Sequence, residues 1–439
     1  MSAPAPLAPL PGRDTRRLLY IAYHFPPIQG STGIARTLSF ARYLPEWQWQ
    51  VTVLTVRPFV YPDIREQNYA AIPPHVRVVR TLAFDTQRHL AIRGRYPSLL
   101  ATPDKLQSWI PFATWRAVQI IRRWKPHALV STYPIASAHY IGYLAHRLTG
   151  IPWIADFRDP MVQPNYPEDP RIYRAFQKIE RLAFTHAARI VVTTPGAGQL
   201  YADRFPDYPR DHIVLISNGF DPQMFADAVR PPQPMGPRRL RLLHSGLLYP
   251  EERDPLALFA ALAQLRAAGR LDSRSVEVVF RASGYEQVFA PHIRRLGLED
   301  LVTFCAPIPY GEALSEMMAA DGLLILQAAN CNQQIPAKLY EYLYAGRPIL
   351  CLTDPAGDTG QLMKQLGSRY IAPLDSAADI QTALLGFVTD LQQDRGYVVP
   401  PETVSGFSRR TLTGELARTL DETLAEAAGV TAPPAQPSD

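Results

Sequence analysis

The stretch LLYIAYHFPPIQGSTGIARTLSFARYLPEWQWQVTVLTV, residues 18–56, decides the fold. It opens with an apolar run, Leu18–Tyr23, that breaks into a Pro/Gly loop, HFPPIQGSTG. A buried strand running into a loop has this composition. From Ile34 to Leu44 apolar residues recur at helical spacing, through Leu38, Phe40, Ala41 and Tyr43. QVTVLTV, residues 50–56, is again a buried strand. Strand, loop, helix, strand is the unit of a parallel sheet.

Outward from this stretch the unit repeats. Strands are expected at 127–132, 152–157, 189–194 and 213–221, with helices at 137–150 and 171–187 and a short one near 200. VRPPQPMGPRR, residues 229–239, has the composition of a linker. After it the alternation restarts, with strands at 241–246, 276–284, 302–307, 322–327 and 348–353. Helices are expected at 255–269, from about 285 to 296, and at 310–320, 335–346, 358–366 and 408–427.

The fold class is therefore α/β, with two doubly wound Rossmann-like domains facing across a cleft. The expected organisation is a disordered lead at 1–16, a first domain at 17–228 and the linker at 229–239. A second domain follows at 240–400, then a helical segment at 401–427 packing back toward the first domain, and a disordered tail at 428–439. The 439 residues, 47% of them hydrophobic and 19% charged, suit two cores better than one.

Charge divides along the same line. Residues 1–230 carry 27 Lys and Arg against 16 Asp and Glu, a balance of +11, whereas residues 231–439 carry 18 against 24, a balance of −6. The basic half suggests an anionic partner for the first domain. The three cysteines, Cys305, Cys331 and Cys351, fit no metal motif and no disulfide scaffold, which favours a reducing compartment. No signal-peptide core and no spanning segment is legible, so the expectation is a cytoplasmic protein, peripheral at most on the inner face of the membrane. Charge in no recognisable module argues against nucleic acid.

Ligands of such sheets bind beyond the carboxyl ends of the strands. Four loops there carry chemistry. In the first, Gly30 and Gly33 let backbone N–H groups approach a ligand, and Arg36 stands in the first turn of the following helix. In the second, Asp156, Arg158 and Asp159 follow a strand at once; Asp156 or Asp159 can hold acceptor hydroxyls or act as a base, or Arg158 can pair with them and shape the loop. In the third, Gln333 and Gln334 precede a helix that begins after Pro336, with Lys338 in its first turn and Glu341 on the same face. That helix end can cap a diphosphate, and Glu341 can accept hydrogen bonds from ribose hydroxyls; a plain surface Lys338–Glu341 pair is the alternative. In the fourth, His244, Ser245 and Gly246 close the first strand of the second domain and Arg253 follows, a phosphate-facing geometry unless Arg253 is a solvated loop charge. GxGxxG is missing after the strands, which weakens a dinucleotide oxidoreductase.

YIAYHFPP, RTLSFARYLPEWQWQVTVLT, IPWIADFRDP, ISNGFDPQMF, LLHSGLLYPEERDP and IPAKLYEYLYAGRPIL occur in that order over residues 18–360. On these stretches the chain resembles the bacterial GT-B glycosyltransferases, of the group 1 or family 4-like retaining kind. The resemblance implies transfer of a sugar from a nucleotide-sugar donor, without a metal or other cofactor, to a saccharide or lipid-linked acceptor in cell-envelope polysaccharide biosynthesis. It implies donor binding by Glu341, Lys338, Arg253, Gly246, Ser245, Gln333 and Gln334. Asn218 lines the cleft with Gly30, Gly33 and Arg36 on the acceptor side, and Asp156, Arg158 and Asp159 stand at the catalytic place. Two positions depart from the family pattern: Gln333 stands where a glutamate is common, and Leu247 where an arginine is common after Gly246. A sugar-nucleotide epimerase on the same fold and a non-catalytic donor-binding subunit are the alternatives. QSWIPFATWRAVQIIRRWK, residues 107–125, reads as a helix mixing tryptophans and cations, suited either to anionic lipid or to a covering role.

Overall fold

The computed structural model describes residues 15–28, 32–164, 166–226, 228–229 and 239–429. The chain divides into two compact units, residues 1–217 with 409–439, and residues 218–408. Most of the expected linker, nearly all of the lead and most of the tail lie outside the described residues.

In the first unit the order is β1 (Arg16–Ile21), α1 (Thr32–Tyr43), β2 (Trp49–Val56), β3 (Arg77–Thr81), α2 (Thr86–His89), α3 (Trp109–Trp124), β4 (Ala128–Thr132), α4 (Ala136–Thr149), β5 (Trp153–Arg158), α5 (Pro170–His186), β6 (Arg189–Val192), α6 (Pro195–Arg204) and β7 (Ile213–Leu215). The second unit runs β8 (Leu240–Ser245), α7 (Leu256–Ala267), β9 (Val276–Arg281), α8 (Glu286–Arg295), β10 (Val302–Cys305), α9 (Tyr310–Ala319), β11 (Gly322–Leu326), α10 (Ala337–Ala345), β12 (Ile349–Leu352), α11 (Asp358–Gln365), β13 (Ile371–Ala372), α12 (Ala377–Gln392) and α13 (Pro401–Ser405). The last helix, α14 (Arg409–Ala427), belongs to the first unit again.

Both sheets are parallel throughout, in the orders β3-β2-β1-β4-β5-β6-β7 and β10-β9-β8-β11-β12-β13. In each the order reverses beside its first strand, between β1 and β4 and between β8 and β11. That reversal opens a crevice at the carboxyl edge, because the flanking loops leave toward opposite faces.

Side chains alternate across a strand, and the central strands are apolar on both faces. Leu19 and Ile21 of β1 face the core made with α3, α4 and α5. Leu18 and Tyr20 face the other way, into a core closed by α1 and by Leu412, Leu416, Ala417 and Leu420 of α14. Asp421 of α14 accepts a hydrogen bond from Trp49 Nε1 at 2.8 Å and pairs with Arg16 at 2.5 Å. In the second unit Leu242 of β8 packs toward α7 and α12, and Leu243 toward α9 and α10.

The division falls at Ser217/Asn218, ahead of the expected first-domain end at 228. The cause is local: Phe220 N donates to Phe407 O at 3.2 Å, and Phe220 and Phe225 pack on Tyr344, all within the second unit. The strand expected over 213–221 accordingly stops at Leu215. The long helix expected at 107–125 is α3. Its first tryptophan, Trp109, is fully buried and donates from Nε1 to Thr81 Oγ1 at 2.8 Å, while Phe112 and Trp115 are exposed.

Candidate functional site

The carboxyl edge of the second sheet is built from the loops after β8 and β11. β8 ends in His244 and Ser245, and the chain turns at Gly246 with φ +120°, a conformation that side-chain-bearing residues rarely adopt. After β11 a short loop leads to Pro336, which precedes the first turn of α10. Gln327 Nε2 ties that loop by donating to Cys331 O and Gln334 O at 2.9 and 2.8 Å. Buried Leu339, Tyr340 and Leu343 hold α10 to the sheet, and Gly346 in the left-handed region ends it.

This packing brings Lys338, Gly246, Ser245, Glu341 and Arg253 to one edge. Lys338 Nζ lies against the Gly246 turn, where a Cβ would come within 2.9 Å of it. Ser245 contributes its backbone N–H to the Tyr342 hydroxyl at 2.8 Å, so its amide is taken by the helix rather than offered to a ligand. Glu341, one turn beyond Lys338, accepts a hydrogen bond from the Tyr310 hydroxyl at 2.6 Å. Arg253 donates to Leu247 O at 3.0 Å and lies over the Tyr249 ring, and its charge reaches Lys338. The backbone carbonyl of Gln334 is used inside the loop, and Gln333 is partly buried next to it. Burial, then Arg253, pulls the Lys338 amine down to about 7, against the pull of Glu341. His244, which the sequence places at this turn without a role of its own, has its Nε2 3.1 Å from Lys338 Nζ. Its signal was present as an imidazole in an otherwise apolar run, just ahead of the Ser245-Gly246 turn.

The carboxyl edge of the first sheet is arranged differently. Asp156 and Arg36 are both about 2% exposed. Arg36 donates from Nε and Nη2 to the two oxygens of Asp156, at 3.1 and 3.0 Å, and from Nη1 and Nη2 to Ser217 O and Ile216 O. Thr132 Oγ1 donates to Asp156 at 2.9 Å and the Tyr20 hydroxyl at 3.4 Å. Burial alone would raise the Asp156 carboxyl, but Arg36 holds it below the usual range. The expected alternative of an Arg158 pair gives way here: the bidentate partner is Arg36, and the two form a strut joining α1, β4, β5 and the end of β7. Arg36 is thus committed to protein atoms rather than to the first loop, of which Gly33 opens α1 and Gly30 lies outside the described residues.

Arg158 has φ +61°, at a register shift between β5 and β6. A non-glycine residue in that region is strained. Its carbonyl is pinned by Thr193 Oγ1 at 2.8 Å, Nη1 reaches Tyr133 O at 3.4 Å, and buried Nε has no partner among the described residues. Burial raises the neighbouring Asp159 carboxyl, against Arg158 and Arg36. Burial, then Arg158 and Lys105, pushes the His24 imidazole down to about 4, so it is neutral at physiological pH. Glu180 fixes the next residues: it accepts from Val162 N, Tyr201 OH and Arg204 at 3.0, 3.0 and 2.6 Å. Asn218 is buried at the start of the second unit.

Residues 32–219 match the family model described as the glycosyl transferase 4-like domain. That stretch carries a glycosyl transferase 4-like domain. The chain is similar in fold to sucrose-phosphate synthase from Thermosynechococcus elongatus, with a TM-score of 0.65 and 15% identity over 94% of this chain and 100% of that one. It is similar to HepE from Anabaena, solved in complex with UDP, at 0.63 and 16% over 93% and 100%. It is also similar to a putative UDP-N-acetylglucosamine 2-epimerase from Listeria monocytogenes, at 0.57 and 11% over 95% and 98%. These likenesses are of fold, and the two Rossmann-like units are those of the GT-B fold. No curated protein matches its sequence.

Proposed function

We propose that this chain is a glycosyltransferase that moves a sugar from a nucleotide-sugar donor to a saccharide or lipid-linked saccharide, with retention and without a metal, in cell-envelope polysaccharide assembly. The observation that carries the donor side is the grouping of Lys338, Glu341 and the Gly246 turn at the switch point of the second sheet. A diphosphate there meets the ammonium and the N-terminal turn of α10, and Glu341 is placed to accept from vicinal ribose hydroxyls. The catalysis asked of these groups is electrostatic stabilisation of the departing diphosphate, which can itself take the acceptor proton. Two neighbours in fold support the class of donor and acceptor: HepE was solved in complex with UDP and glucose, and WaaB is a lipopolysaccharide outer core galactosyltransferase.

On the acceptor side the reading gives Arg158 and Asp159 the contact with substrate and leaves Asp156 and Arg36 to position them. It is supported by the strained Arg158 backbone and its unpartnered Nε. An anionic membrane as the place of the acceptor is supported by exposed Trp115 (64%), Ile92 (79%) and Leu99 (73%) on a stretch also carrying Arg93, Arg95, Arg116, Arg122 and Arg123. No described helix is long and apolar enough to cross a membrane. Flotation with anionic rather than neutral vesicles is the expected result, and equal flotation removes the membrane from the proposal.

The donor reading is tested by thermal shift with UDP, GDP, ADP, CDP and their sugar conjugates, with and without EDTA. A ligand at about 100 times its dissociation constant adds about 2.7 kcal/mol, a readable shift. A shift by one nucleotide series that survives EDTA is expected. A changed sugar nucleotide without transfer would instead favour the epimerase, the activity for which the Listeria neighbour is named.

A further inference from the structure

His244 is fully buried at the end of β8. Its Nδ1 lies 2.9 Å from Leu324 O on the adjacent strand β11. A carbonyl only accepts, so Nδ1 carries the hydrogen and Nε2 of the neutral ring keeps its lone pair. That lone pair faces Lys338 Nζ at 3.1 Å, and the amine is the donor. Protonating the ring would set a second cation against Lys338; burial, then Lys338 and Arg253, hold the imidazole neutral. The amine is also confined by the Gly246 turn, which leaves no room for a Cβ. The charged and titratable groups that face Lys338 are Arg253 from the loop after β8, Glu341 from α10 itself, and His244 from β8.

We propose that His244 is a positioning residue for the donor: its Nε2 holds the Lys338 amine over the Gly246 turn, and the pair takes up one proton from solvent when a diphosphate binds. The proposal rests on the donor reading above. A neutral acceptor fixes the place of the amine without supplying a counter-charge, so the arriving phosphate supplies it. The free amine, lowered to about 7, is largely uncharged above neutrality. A dianionic partner restores its ordinary basicity, and the proton returns to solvent when the nucleotide leaves. Above about pH 8 the terminal phosphate of a nucleoside diphosphate, with a second pKa near about 6, is ionised, so proton uptake with UDP, GDP or ADP there belongs to the protein.

The test is calorimetric titration of the full chain with UDP, GDP, ADP and inorganic pyrophosphate from pH 6.5 to 9, in buffers of different ionisation enthalpy. The expected result is affinity that falls above pH 7, approaching about tenfold per pH unit, with proton uptake approaching one. Lys338→Arg keeps the charge and is expected to bind without proton uptake. His244→Leu removes the acceptor and should move the fall toward acid by about one pH unit, and His244→Gln should restore part of it. Binding without proton uptake in the wild type overturns the proposal and leaves the donor reading standing. So does a His244→Leu loss equal at every pH. No binding by any probe overturns both.

Discussion

Each sheet carries a basic side chain at its carboxyl edge, and the two are held in opposite ways. Arg36 of the first unit meets a carboxylate in bidentate geometry, with two backbone carbonyls taking its remaining donors. Lys338 of the second unit meets a neutral imidazole. Arg36 and Asp156 satisfy each other, and together they join segments far apart in sequence. Lys338 is located without being neutralised. Charge alone in a strand-end loop therefore does not mark a ligand site; what partners the charge decides whether it braces the fold, as Arg36 does, or is left for the proposed anion, as with Lys338.

The sharpest way to break this comparison is Arg36→Ala. It leaves the Asp156 carboxylate buried and uncompensated, and a cost of about 3–5 kcal/mol is expected. Thermal unfolding should show a drop of about 10 °C, and hydrogen exchange should rise in the first unit alone. A mild effect would mean that Thr132 and Tyr20 already suffice for Asp156. Glu341→Ala tests the second unit. It should weaken nucleotide binding by about 1–3 kcal/mol and leave the melting temperature nearly unchanged. Unaltered affinity would remove Glu341 from the donor site.

Acid titration follows. Asp156 is held low in the folded protein, so the unfolded chain binds the proton first as pH falls. Its contribution is present above the ordinary carboxylate value near 4 and is lost as pH drops through the folded one. Asp156→Asn should flatten that limb. Asp159 has the reverse sign: its carboxyl is raised by burial, so stability falls as pH climbs past the ordinary value. Asp159→Asn is expected to stabilise at pH 7 by about 1 kcal/mol, while reducing transfer if Asp159 serves the acceptor. A destabilised Asn variant would show that the charge is structural.

Much of this was legible in the sequence. The β1 to β2 stretch carried its own period change, and strands such as β11 and β12 are uninterrupted apolar runs. β3 was not, because Arg77 and Arg80 alternate with valines on a half-buried edge strand and dilute the signal. At the site, Lys338 and Glu341 were legible from Pro336 and helical spacing. Neither partner choice was. Arg36 and Asp156 are 120 residues apart, and His244 and Lys338 are 94 apart. Local periodicity holds no information on such pairings; the order of the strands sets them.

The return of α14 to the first unit has a consequence for construction. The polypeptide leaves the first unit after Ser217 and re-enters it at Arg409. Just inside those crossings Phe220 bridges Ser408 and bonds to Phe407. The second unit is thus a cassette whose two ends are already stapled together. Residues 218–408 are an excisable module, and a short splice in its place would leave the first unit with its closing helix. The same geometry lets such a module be exchanged between relatives at two neighbouring cuts, with no new terminus exposed in either core.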